Sequence, residues 1–124
     1  MKQEVERLLY ETTCDDCRPW RLATDVRVQK VSRVENNIHW KSFSNRRAEL
    51  AEIAAQNTDN PKVAQRTIRI ADICLDDTTN EVFLWHGLPA ANVPMVAHSG
   101  LDERIANCRG LYGAGIYLTD QWCK

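Results

Sequence analysis

No stretch of this chain approaches the roughly 20 consecutive apolar residues that a membrane-crossing helix requires. Neither sign of charge dominates. Lys and Arg number 16 against 17 Asp and Glu, a net charge of −1, so bulk charge offers no attraction to nucleic acid or to an anionic membrane. The chain has no internal repeat and no low-complexity segment, and its opening MKQEVERLL lacks the apolar core of a signal peptide. These absences lead to the expectation of an intracellular protein, in nucleus or cytoplasm. Cysteine is present but unpaired by count: Cys14, Cys17, Cys74, Cys108 and Cys123 make five, which argues against a disulfide framework. Cys14-Asp-Asp-Cys17 has the spacing of half a zinc knuckle, yet no second C-x-x-C or C-x-x-H follows, and a structural zinc site takes four ligands. From sequence the thiols read as reduced and metal-free.

What is there fits one compact domain. A chain of 124 residues with 44% hydrophobic and 27% charged residues is long enough for a single globular core and too short for two. Residues 1–13 predict a short helix, with Val5, Leu8 and Leu9 at i, i+3 and i+4. The Arg18-Pro19 step ends it. The alternating DVRVQKVSRV, with Val26, Val28 and Val34 on one face, predicts a bent or edge strand. Asn36-Asn37 predicts a helix start, after which Trp40, Phe43, Leu50 and Ala54 share a face until QNTDNP breaks the helix. Residues 67–75 predict a further strand and DDTTNE a polar turn. VFLWHG predicts a strand buried on both faces, residues 89–100 one short helix, and 110–118 a strand with close backbone neighbours. The fold class is α+β.

Two short elements can carry chemistry. His86 ends the apolar run, and Gly87 beside it has no side chain, so a planar amide could pair with its backbone N–H and C=O. In LYGAGIYL, Gly113 and Gly115 let the backbone approach a ligand while Tyr112 or Tyr117 stacks on it. The glycine spacing is not the G-x-G-x-x-G that opens a dinucleotide-binding helix.

Taken in order, FLWHG, GLDER and YGAGIYL resemble the catalytic domain of the poly(ADP-ribose) polymerase family, the diphtheria-toxin-like ADP-ribosyltransferases. GLDER…GLYGAGIYL is similar to the tankyrase branch, while the length of HGLPAANVPMVAHSGLDER is nearer the mono-ADP-ribosylating members. The resemblance runs from about Val26 to Lys124, giving a leading helix and loop over 1–25 and a partial catalytic domain over 26–124. It implies mixed and antiparallel sheets with flanking helices, and NAD+ as a substrate rather than a resident cofactor, with no metal. It also implies protein acceptors of ADP-ribose, while the charge balance and the lack of a long apolar run argue against a nucleic-acid or membrane partner.

By the same resemblance His86 and Tyr117 take the catalytic positions of the family's triad. His86, Gly87, Asn92, Arg104, Tyr112 and Tyr117 take the NAD-binding positions, with Gly87 on the nicotinamide carboxamide and Asn92 and Arg104 on the adenosine side. Leu88 replaces the usual Ser or Thr, and Leu118 the usual Phe. In the family a hydroxyl residue, a stacking tyrosine and, in polymerising members, a glutamate follow the GIYF motif, so the expectation is an incomplete catalytic domain. Two alternatives stay open: a pseudoenzyme that holds NAD or a partner without turnover, and a metal or interaction module using Cys14 and Cys17.

Overall fold

The computed structural model describes residues 1–17, 26–57, 59, 70, 73–106 and 108–123. Helix α1 spans Lys2–Glu11, with Glu4 in its first turn and an Arg7–Glu11 ion pair of 2.7 Å along one face. Two threonines stop it. The hydroxyls of Thr12 and Thr13 donate to the carbonyls of Leu8 and Leu9 at 2.7 and 2.8 Å, taking up oxygens that a helix end otherwise leaves open.

Helix α2 spans Asn37–Gln56. Asn36 caps it as expected, its side-chain oxygen accepting from the N–H groups of Ile38 and His39, both at 3.1 Å. None of its 20 residues is buried. Ion pairs tie it to the 76–81 turn. Arg47 reaches Asp76 at 3.6 Å and Glu81 at 3.5 Å, the two ends of the 76–81 turn, and that turn is tightened by the Asp76 carboxylate on the N–H of Thr78. Asn80 supplies the turn's left-handed residue, at φ +54°.

A 3-10 turn over Ala90–Asn92 leads into helix α3, Val93–Ser99, which ends at Gly100 with φ +80°. The start of α2 sits on the end of α3: Asn36 Nδ2 and His39 Nε2 both donate to the carbonyl of His98, at 3.0 and 3.2 Å.

The helices fall where the pattern put them; the expected sheets do not form among the described residues. There the β-pairing is one antiparallel bridge, Trp85 to Thr119. Residues 26–35 run without a ladder, and the 67–75 segment lies mostly outside the described residues. The VFLWHG run is not buried on both faces, since Val82 and Leu84 are exposed. Alternation and β-branching mark a segment able to pair, but a strand exists only where a second backbone lies about 4.8 Å away.

The buried centre is correspondingly small and unusual. Among the described residues it consists of Leu8, Thr12, Thr13 and Cys14. Two tryptophans clamp it from the far end of the chain: the indole N–H of Trp85 donates to Thr12 Oγ1 at 3.0 Å, and that of Trp122 to Thr13 Oγ1 at 2.8 Å. Each threonine hydroxyl thus donates to its helix and accepts from an indole, so every polar atom in the knot has a partner.

Candidate functional site

The Trp85–Thr119 bridge is a hydrogen-bonded pair, with Trp85 N–H on the Thr119 carbonyl at 2.7 Å and the reverse bond at 3.1 Å. Among the described residues this bridge stands alone, with no further backbone rung beside it. Next to it, His86 Nδ1 lies 2.8 Å from the Tyr117 carbonyl oxygen. A carbonyl only accepts, so Nδ1 carries the proton, and in the neutral ring Nε2 is left as an acceptor. The two motifs, 31 residues apart in sequence, form one place in the fold.

The glycine loop beside them is closed on itself. Tyr117 donates its hydroxyl to the Gly113 carbonyl at 2.6 Å and accepts from the N–H of Tyr112 at 2.9 Å, while Gly113 N–H reaches the Gly110 carbonyl at 3.0 Å. A Cβ on Gly110 would stand 2.7 Å from both the Gly113 oxygen and the Tyr117 hydroxyl, so only glycine fits. Gly113 has φ +88°, the left-handed region that favours glycine. The loop therefore fixes the Tyr117 ring, and Tyr112 lies against it with ring centroids 6.0 Å apart. Both rings keep exposed faces.

Gly87 has open space where a side chain would be, with no atom within 4 Å of a built Cβ. A flat ligand could approach its backbone unobstructed. The exposed aromatic faces of Tyr112 and Tyr117 are on the same loop that the bridge brings to it.

Asn92 and Arg104 are not hydrogen-bonded to this group. Asn92 is exposed in the 3-10 turn before α3. Arg104 is exposed and its guanidinium is held as a fork on Asp102, at 2.9 Å from Nε and 2.6 Å from Nη2. The Arg104 guanidinium, helped by the Arg104 backbone N–H, pulls the Asp102 carboxyl down to about 2.

Sequence reasoning missed two features here. The Thr–Trp knot joins His86 through its chain neighbour Trp85, and its partners are too distant along the chain for any local pattern to pair them. The second is a convergence of sulfur: Sγ of Cys14, Cys17 and Cys123 all lie within 4.8 Å of one another. Cys14 and Cys123 are 109 residues apart in sequence. Crowding has a visible consequence, since hydrogen bonding to Cys14, together with desolvation and the nearby Cys123, pushes the Cys17 thiol up to about 11.

An open cavity of about 970 Å³ lies elsewhere, between α1, α2 and α3, lined by apolar groups such as Val5, Leu8, Trp40, Phe43 and Val96. His86, Gly87 and Tyr117 do not line it. No described helix is long and apolar enough to cross a membrane.

Among known proteins, the family model of the poly(ADP-ribose) polymerase catalytic domain matches residues 3–124. No solved structure matches the chain.

Proposed function

The chain belongs to the poly(ADP-ribose) polymerase catalytic-domain family, and from that premise we propose that it binds NAD+ and transfers ADP-ribose to protein acceptors with release of nicotinamide. Members of this family are NAD+ ADP-ribosyltransferases acting on protein acceptors. The observation that carries the reading for this chain is the joining of His86-Gly87 to Tyr117 by the Trp85–Thr119 bridge and the His86 Nδ1–Tyr117 carbonyl bond.

The roles follow from the chemistry each group offers. Gly87 presents an N–H and a C=O to the nicotinamide carboxamide, whose own C=O and N–H are the complement. His86 Nε2 accepts from a ribose hydroxyl. The rings of Tyr117 and Tyr112 offer flat faces for stacking on nicotinamide. Asn92 and Arg104 serve the adenosine side, Arg104 as a fork preset by Asp102. The C–N bond between ribose and nicotinamide breaks, nicotinamide leaves as a neutral base, and the acceptor attacks the oxocarbenium-like ribose carbon and gives up its proton. Such a reaction gains most from positioning and charge stabilisation, which a rigid loop and a fixed tautomer supply.

The same reading makes this chain part of a larger pocket. Supporting that are the uncovered apolar side chains of α2, with Ile38 77% and Trp40 63% exposed, and those of Val82 and Leu84 beside the site. A second reading, NAD or partner binding without turnover, is favoured by Leu88, which puts no hydroxyl after His-Gly.

One experiment separates them: thermal unfolding with a saturating nicotinamide mimic, alongside an assay of nicotinamide release from NAD+. A ligand at about 100 times its Kd stabilises by roughly 2.7 kcal/mol, worth several degrees for a domain of this size. A shift with nicotinamide release supports transfer, and a shift without release supports binding alone. No shift contradicts both.

A further inference from the structure

We propose that Cys14, Cys17 and Cys123 form a zinc site that fastens the two ends of the described chain behind the His86–Tyr117 pairing. The proposal stands on the sulfur geometry and does not depend on NAD chemistry.

Three sulfurs around a tetrahedral zinc, with Zn–S of about 2.3 Å, stand about 3.8 Å from one another. The three Sγ atoms here are already within 4.8 Å, so closure needs only small side-chain adjustments. The local backbone suits the task. Cys14 and Cys17 sit on one turn, closed by Cys17 N–H on the Cys14 carbonyl at 3.1 Å, which aims two thiols to the same side. The N–H of Cys14 donates to Sγ of Cys123 at 3.3 Å, a contact that favours the thiolate over the thiol. The Thr13–Trp122 hydrogen bond holds the residue before Cys123 beside the residue before Cys14, so the third sulfur is delivered by a fixed neighbour.

Chemistry favours a metal over a disulfide at this place. A disulfide would use two sulfurs, leave the third idle and require an oxidant. A cation uses all three sulfurs at once, drawing their protons off and offsetting the charge that three adjacent thiolates would carry. On binding, each thiol loses its proton to solvent and the zinc ion exchanges three of its waters for sulfur. Three cysteines leave one tetrahedral position to be filled by a fourth donor, which a water molecule would supply. Cys14 is buried, with Cys17 and Cys123 half-buried, whereas Cys74 and Cys108 are exposed and outside the cluster.

The consequence is structural. Thr12 and Thr13 hold Trp85 and Trp122, and Trp85 carries the bridge to Thr119. A metal at these cysteines locks the scaffold from which His86 and Tyr117 project.

The test uses the unaltered chain first. Alkylation with equimolar zinc, read by mass spectrometry, is expected to label Cys74 and Cys108 and to spare Cys14, Cys17 and Cys123; chelator restores labelling of all five. Cobalt substitution should give a thiolate-to-cobalt charge-transfer band of three-thiolate intensity. Cys123→Ser should abolish protection of Cys14 and Cys17, while Cys108→Ser leaves it intact. Equal alkylation of all five cysteines in the presence of zinc would overturn the proposal. So would a cobalt spectrum without the thiolate band, or an intact mass showing a disulfide within the cluster.

Discussion

The two long-range assemblies of this molecule are built on opposite principles. The knot around Thr12 and Thr13 joins a ten-residue helix to two tryptophans and holds all the buried residues among those described. Helix α2 is twice as long, carries Ile38, Trp40, Phe43, Leu50 and Ile53, and buries none of them. Helix length is therefore no guide to where the stability lies. α2 is sustained by its cap, by Arg46–Glu49 at 2.8 Å and by the ties of Arg47, all of which work in or near solvent. The knot is sustained by exclusion of water from a few groups whose polar atoms are all satisfied.

Substitutions can break that contrast. The largest effect belongs to Leu8→Ala, which removes the most enclosed apolar side chain of α1 and should cost about 2–5 kcal/mol in urea unfolding. Next is Thr13→Val. It keeps the shape but leaves the Trp122 indole N–H without its acceptor, an expected loss of about 1–3 kcal/mol by the same measurement. Ile38→Gln on α2 should change stability by no more than about 0.5 kcal/mol, because the side chain is 77% exposed. A large loss there would mean that α2 is covered in solution, and the comparison would fail.

The smallest effect is electrostatic. Asp102 titrates near 2, below the usual carboxylate value near 3.9 for an unfolded chain. Its folded pKa is depressed, so its contribution to stability is present above about 4 and is lost as pH falls toward 2. Arg104→Gln removes the main cause, and an NMR titration should show the Asp102 pKa moving up toward the ordinary value. An unchanged pKa would mean that the Arg104 fork does not persist in solution.

What the sequence disclosed follows from range. α1, the Asn36 cap, the 76–81 turn and the end of α3 at Gly100 are local, written in residues a few positions apart, and they are where the pattern placed them. His86-Gly87 and Tyr117 were legible as motif residues, and their juxtaposition follows from one bridge. The knot was not legible, because Thr12 meets Trp85 across 73 residues and Thr13 meets Trp122 across 109. Cys123 joined Cys14 and Cys17 by the same long-range closure, which counting C-x-x-C spacings could not detect. Among the described residues the expected strands form no ladder for a related reason, since alternation describes one segment and a ladder needs two. The hydroxyl of Tyr117 lies outside what its motif describes. It is spent inside its own loop, on Gly113 and Tyr112, and only the ring face is offered outward.

The central claim is that His86-Gly87 and Tyr117 form one ligand-binding place, apart from α2. The most direct measurement is an amide NMR titration of the chain with benzamide, a minimal nicotinamide mimic. The account predicts saturable shifts at Gly87, Tyr112 and Tyr117, with residues 38–56 unmoved. Saturable shifts confined to the α2 cavity, or none at Gly87 and Tyr117, would contradict it.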